Sequence, residues 1–405
     1  MMKKVFSSNL KKIIIFTITP LNEDYLKRYG YDFFFKKDIE IIFLNLCYLL
    51  YGNERTKSAG YDKVGRCPQV KEIQIHNYFQ LLEYLSKFSE DSIIYINITA
   101  KTKLMFMILI SKIPYIEGSL WGGIQEKNWA KNKNLIQQIS SRIFSITRNF
   151  RKKIFGKIDH YTSILIRKIN PPHIILSSSS VEAEMVSDER ILLNHTFDYD
   201  RFLMNDGMPK PSYIPDFKYY VLLPNHAWMV HDYIINNAEK DCSMSKNNYE
   251  KLINNTLDKI EELSGVKILV AGYPNATIDE DVYINRDFLL GTETEQLVKY
   301  SSGVITHFSG AINFAVIHKK PICLINYNNF DSDPRFLNPI RSYSNLLDIP
   351  INYVDIDIDI EELVSKGIFC MNFKEYQNYL YNFICPKEIL SRKTELFWER
   401  VLNKI

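Results

Sequence analysis

Two stretches of this chain concentrate side chains able to do chemistry. Asn225-His-Ala-Trp-Met-Val-His-Asp-Tyr233 brings His226, His231 and Asp232 together. A carboxylate in such company can trap an electron-poor, oxocarbenium-like carbon, while imidazoles serve phosphate or carboxylate groups. The second stretch, Phe288 to Asn326, carries Thr292, Glu293, Thr294, His307, Ser309, Gly310, Ala311 and Asn313. Its hydroxyls and its Ser-Gly turn suit an anion. Satisfied polar side chains are the alternative reading of each residue taken singly.

Both stretches need parallel strands to position them. Gly303–Thr306 reads as a buried strand that empties through His307-Phe308-Ser309-Gly310 into a helix from Ala311 to about Ile317. Lys319-Lys320-Pro321 ends that helix ahead of the apolar strand Ile322–Ile325. This geometry is expected to leave several backbone N–H groups unpaired at the carboxyl edge of a sheet, making an anion site with the helix dipole. An ordinary βαβ unit, with Ser-Gly only a cap, is the alternative. Tyr219–Leu223 reads as a strand stopped by Pro224, so Asn225–Tyr233 follows at the same kind of edge. The helix Tyr249–Leu263 ends at Ser264-Gly265 and leads into the strand Val266–Ala271. Gly272-Tyr-Pro-Asn275 then offers backbone groups to a nucleotide base, with Gly272, Tyr273 and Pro274 as the candidates.

Order and spacing here resemble the donor-nucleotide half of GT-B glycosyltransferases that build bacterial surface polysaccharides. In those enzymes a Gly-Thr-Glu-type turn (here Gly291-Thr292-Glu293) precedes a helix, and a Thr-His-x-Ser-Gly-type turn (here Thr306–Gly310) follows the next strand. The resemblance implies an α/β fold of two Rossmann-like domains facing a cleft, with Ser309, Gly310 and Ala311 against the donor's phosphate. Asn225–Asp232 combined with Thr306–Asn313 is most similar to the retaining β-Kdo transferases, which use CMP-Kdo to extend lipopolysaccharide, O-antigen or capsular glycans. That likeness covers the second half better than the first. It implies that Asp232 attacks the anomeric carbon and that a second displacement restores configuration. On chemical grounds His231 or His226, with His307 a further candidate, is expected to meet the departing phosphate or the Kdo carboxylate. No cofactor or metal is then expected. A CMP-sialic acid, UDP- or GDP-sugar transferase is the alternative, followed by a sugar-nucleotide epimerase or hydrolase and a non-catalytic binding module. A second phosphate would want positive charge, which Lys319 and Lys320 supply if they face the cleft.

The whole chain fits this frame. Its 405 residues exceed one compact core and predict two domains. A net charge of +3 points to no nucleic-acid partner. Six cysteines without a CxxC pair predict reduced thiols in a cytosol and not a zinc site. The start, MMKKVFSSNLKK, leads into a short apolar run read as a strand and not a signal peptide. No run of about 18 apolar residues occurs, so the chain is expected to be soluble or peripheral.

In the first half, Ile13–Thr19, Ile39–Leu44, Lys71–His76 and Ser92–Thr99 read as strands. Helices are expected at Tyr78–Phe88, capped by Asn77, and at Lys101–Ile113. Alternating strands and helices predict parallel architecture. The loop Gly118–Glu126 offers Trp121, Gln125 and Glu126 to a glycan acceptor, or is a surface loop with a structural Trp. The strand His173–Leu176 empties into Ser177–Glu184, where Ser178, Ser179 and Glu182 are either acceptor contacts or caps. Residues 131–168 set ten Lys and Arg against Asp159 alone, with isoleucines and phenylalanines at helical spacing. That pattern fits either the inner membrane surface or a solvated helix face. The Pro- and Gly-rich stretch Asn205–Phe217 reads as the hinge. Residues 1–210 are thus expected to form an acceptor domain and 211–386 a donor domain, with 387–405 returning to the first as a helix from Lys387 to Leu402. Asp355-Ile-Asp-Ile-Asp-Ile-Glu361 contains the Asp-x-Asp pattern that holds a metal in GT-A enzymes, but its strict alternation predicts a half-exposed strand running into a helix.

Overall fold

The computed structural model describes residues 10–61, 67–88, 91–97, 102–118, 162, 165–179, 188–224, 244–272, 282–289, 294–355, 360–365, 367–390 and 396–405. Two wholly parallel sheets organise them. The first contains β1 (Lys12–Thr17), β2 (Glu40–Asn45), β3 (Lys71–Gln74), β4 (Ser92–Ile96), β5 (Tyr115–Gly118), β6 (Ile174–Ser177) and β7 (Ile191–Leu193), in the order β3-β2-β1-β4-β5-β6-β7. The second contains β8 (Tyr219–Leu223), β9 (Lys267–Ala271), β10 (Phe288–Leu289), β11 (Gly303–Thr306), β12 (Ile322–Asn326) and β13 (Ile351–Tyr353), in the order β10-β9-β8-β11-β12-β13. Each order reverses once, between β1 and β4 and between β8 and β11. Crossovers leave to opposite sides there, so the strand ends part and open a crevice.

Runs such as Ile13-Ile-Ile-Phe16 and Ile93-Ile-Tyr-Ile96 are buried throughout because helices cover both faces of the sheet. Local signals set the helix ends. Asn77 accepts from the Gln80 N–H at 2.8 Å, starting the helix Tyr78–Leu85. Gly265, at φ 65°, takes the left-handed turn that ends the helix Lys246–Ser264.

The irregular stretch 206–218 joins the sheets, preceded by a helix Phe197–Asn205 that the sequence reading passed over. The chain's end also departs from expectation. Instead of one helix from Lys387, a short helix Lys387–Leu390 puts Ile389 into the second sheet's core. A separate helix Phe397–Lys404 sends Phe397, Trp398 and Val401 into the first. Among the described residues the last strand is β13; of the Asp-rich run, residues 356–359 lie outside them, and Asp355 accepts from the Asn328 N–H at 2.9 Å. The five described cysteines are free thiols. Among the described residues, no helix is long and apolar enough to cross a membrane.

Candidate active site

At the second sheet's reversal point, two strands that lead into sequence-predicted site segments lie side by side. β8 and β11 are adjacent and in register from Gly303 with Tyr220 to Thr306 with Leu223. Thr306 is fully buried, and its hydroxyl donates to the Leu223 carbonyl at 3.1 Å, so it fastens the two strand ends together. The chain therefore leaves Leu223 towards Asn225–Tyr233 beside the point where it leaves Thr306 towards Ser309-Gly310. The neighbouring strand, β9, ends at Ala271 on the same edge, and the N–H of the next residue, Gly272, donates to the Leu289 carbonyl at 2.6 Å. A Cβ at Gly272 would run into the Phe288 ring, so this glycine is dictated by packing. His226, His231, Asp232, Tyr273, Pro274, Thr292, Glu293, Trp121, Gln125, Glu126 and Glu182 lie outside the described residues.

The turn after β11 satisfies more of its own backbone than expected. Ser309 N–H donates to Thr306 Oγ1 at 3.2 Å, and Ala311 N–H donates to Ser309 Oγ at 3.3 Å. Ile312, Asn313 and Phe314 each bond the carbonyl three residues back. Gly310, which is exposed, keeps an N–H with no partner among the described residues. The expected set of open amides thus loses Ser309, Ala311 and the three residues after it, because side-chain caps and tight i-to-i+3 bonds close the start of the short helix Ile312–Ile317.

Two other predicted contacts are spent inside the fold. His307 is 1% exposed; Nδ1 lies 2.7 Å from the Ile325 carbonyl, and Tyr249 Oη lies 3.3 Å from Nε2. A carbonyl only accepts, so Nδ1 carries the proton and Nε2 accepts from the tyrosine. Burial pushes the imidazole down to about 4, and the ring is neutral with no nitrogen left for a phosphate. Asn313 is fully buried, donating to Asp198 Oδ2 at 2.8 Å and accepting from Tyr379 Oη at 3.1 Å. Thr294 is buried at the start of the helix Thr294–Tyr300. In the first domain, the Ser179 N–H donates to the Ser177 hydroxyl at 3.2 Å, a local turn that leaves Ser178 half-buried.

Asn313 belongs to a buried polar chain between the sheets. Asp24 accepts from Arg28 Nε at 2.6 Å and from Arg201, and Asp198 lies beyond on the same Phe197–Asn205 helix as Arg201. Burial opposes ionisation of Asp24, but the two guanidinium groups outweigh it and hold the carboxyl below its ordinary range. At Asp198 burial prevails and pushes the carboxyl up, against the pull of Arg28. Removing one member strands the rest. Asn313→Ala is expected to cost roughly 2 kcal/mol in urea unfolding, since it removes the donor to the buried Asp198 carboxyl and an acceptor of the buried Tyr379 hydroxyl. A loss under about 0.5 kcal/mol would show the chain to be incidental.

The first sheet's reversal point holds residues that sequence reasoning missed. Phe16 pairs with Ile96, so Thr17 and Asn97 follow side by side at the carboxyl ends of β1 and β4. Asn97 Nδ2 donates to Tyr29 Oη at 2.7 Å, while Asn97 Oδ1 and Thr17 Oγ1 are buried without a hydrogen-bond partner among the described residues. Such orphans at a strand-order reversal suit the hydroxyls of a bound ligand. The available signal was a polar residue closing each apolar run.

No protein-family model matches this chain, and no curated protein matches its sequence. Solved structures do. A histidine-to-asparagine variant of the wall teichoic acid polymerase TagF is similar over 98% of this chain and 89% of its own, at 14% identity and a TM-score of 0.55. Unsubstituted TagF is similar over the same shares, at 12% identity and 0.54. Identities this low establish architecture alone: the chain has the α/β fold of GT-B glycosyltransferases, with two Rossmann-like parallel sheets.

Proposed function

We propose that this chain is a glycosyltransferase, taking a nucleotide-sugar donor at the second sheet and a glycan acceptor at the first. The observation that carries the reading is the Thr306–Leu223 hydrogen bond between adjacent strand ends, because Asn225–Tyr233 and Ser309-Gly310 both emerge there. On this reading the carboxylate and two histidines of Asn225–Tyr233 work beside the Gly310 amide and the Ser309 hydroxyl.

The donor best suited to these residues is CMP-Kdo, and the reaction a double displacement. Asp232 attacks the anomeric carbon, the C–O bond to phosphate breaks, and CMP leaves with the electron pair. Ser309 and the Gly310 N–H meet the charge on its single phosphate. An acceptor hydroxyl, losing its proton to a base, then displaces Asp232 and restores the original configuration. No metal enters this scheme. The acceptor would be a lipid-linked or oligosaccharide glycan of lipopolysaccharide, O-antigen or capsule, met near the inner face of the cytoplasmic membrane. Likeness to a wall teichoic acid polymerase supports a second reading, assembly of another envelope polymer from a different activated donor.

Incubation with CMP-Kdo followed by intact-mass measurement tests the proposal. Wild type should gain one Kdo, and Asp232→Asn should gain none. Turnover of CMP-Kdo that persists undiminished in the variant would remove Asp232 from the mechanism. Neither adduct nor CMP release, with CMP-sialic acid, UDP- and GDP-sugars screened in parallel, would move the assignment to another donor.

A further inference from the structure

The helical layer on one face of the first sheet has an unusual exterior. The helices Tyr78–Leu85 and Thr102–Ser111 and the helical residues 165–169 bury Leu81, Leu85, Leu104, Met105, Ile108 and Ile166 in one shared core against β1, β2 and β4. Their outer sides nevertheless carry large apolar groups. Phe79 is 79% exposed, Phe106 48%, Ile110 43%, Leu165 57% and Ile169 63%. Phe106 and Ile110 are one helical turn apart, as are Leu165 and Ile169, so each pair forms a ridge. Single exposed apolar residues are ordinary; five on one helical layer are not.

Charge indicates what covers them. Lys103, Lys112 and Lys168 are exposed among these groups, and Lys103 Nζ lies 5.7 Å above the Tyr78 ring. The only acid on the three segments is Glu83, which pairs with Lys87 at 3.0 Å, while Arg167 is taken by Glu117 of β5. A second copy of this face would bring lysine against lysine. A surface both apolar and anionic would satisfy both features, because the aliphatic stems lie along apolar matter while the ammonium groups reach its charge.

We propose that this helical layer is a docking surface for an anionic lipid bilayer, with Phe106, Ile110, Leu165 and Ile169 entering the interface and Lys103, Lys112 and Lys168 meeting acidic headgroups. It would hold the first sheet, where the acceptor is proposed to bind, against the membrane. This placement gives the proposed function its lipid-linked substrate, yet lipid binding can be measured with no sugar transferred, so either reading can fail alone.

Flotation of the full chain with phosphatidylglycerol-containing vesicles, against pure phosphatidylcholine, is the test. Wild type should float with the anionic vesicles and remain with the soluble fraction in the neutral ones. The combined variant Phe106→Ser, Ile110→Ser, Leu165→Ser, Ile169→Ser should lower the partition coefficient by about tenfold or more. Lys103→Glu with Lys168→Glu should weaken binding to anionic vesicles alone. Phe35→Ser with Phe373→Ser, which removes exposed phenylalanines at 72% and 62% exposure off this layer, should change nothing. No flotation of wild type, or equal flotation of wild type and the serine variant, overturns the proposal. So does light scattering that finds a dimer dissolved by the same four serines.

Discussion

Trp398→Ala is expected to lower the unfolding free energy by about 3–5 kcal/mol, the largest single loss foreseen for this chain. The indole is 2% exposed and stands edge-on to Phe34 at 5.0 Å, Phe397 at 5.2 Å and Tyr95 at 5.3 Å. Its Nε1 donates to the Arg28 carbonyl at 3.2 Å. Gly30, at φ 71°, presents bare backbone to the ring, in the space a side chain would otherwise claim. Alanine therefore leaves a large cavity in the first core, opens the contact through which the chain's end is held, and loosens the helix bearing Asp24 and Arg28. The same helix, Phe397–Lys404, is also tied to the segment before the hinge: Phe397 N–H donates to Asp200 Oδ1 at 2.9 Å, and Asn194 Nδ2 to the Phe397 carbonyl at 3.2 Å. Urea unfolding followed by circular dichroism would measure the loss. A change below about 1 kcal/mol would mean the terminal helix is an ornament on the first domain and not part of its core.

That helix also illustrates what was legible in the sequence. Its return to the first domain followed from the family resemblance, but its start did not, because Lys387–Leu402 offers continuous helical periodicity and only packing divides it between two cores. Long apolar strands with clear stops, such as Ile13–Phe16 and Gly303–Thr306, announced the parallel architecture. β5 and β7 did not, since four residues ending in Glu-Gly and three residues beside a turn carry too little periodicity to distinguish a strand from a loop. The helix Phe197–Asn205 was missed although Thr196 caps it and Asp198 and Asp200 sit in its first turn. Its buried face joins two domains, so Asp198 faces Asn313 and Asp200 the Phe397 N–H and the nearby His195, and not water. In the candidate site, residue type indicated that Ser309 and Gly310 lie at a sheet edge. It could not tell that the turn consumes most of its own amides, nor that Asn313 faces Asp198. Those outcomes depend on backbone closure and on which domain lies behind each side chain.

His307 makes the last of these distinctions measurable, because a donor contact and a core histidine respond oppositely to acid. In the fold, Tyr249, Tyr327 and Phe330 place their rings 5.4–5.8 Å from it, and burial pushes the imidazole from an ordinary 6.5 to about 4. The unfolded chain therefore binds a proton between those values and the folded chain does not. Stability from this group is complete above about pH 6.5 and falls as the pH drops towards 4. A gap of about 2.5 pH units at ~1.4 kcal/mol each makes the total loss about 3 kcal/mol. Urea midpoints measured near pH 7, 5 and 4 should trace that fall in wild type. His307→Gln, which keeps an amide for hydrogen bonding but cannot titrate, should be less stable at neutral pH and should lack this part of the acid slope. Asp198 works in the opposite direction, since its raised carboxyl takes up a proton more readily in the folded state, but it is common to both proteins and cancels in their difference. Equal slopes in the two proteins would put His307 in a solvated position facing the cleft, where protonation at mild acidity would favour a phosphate. A slope confined to wild type makes it the neutral pin beneath the turn.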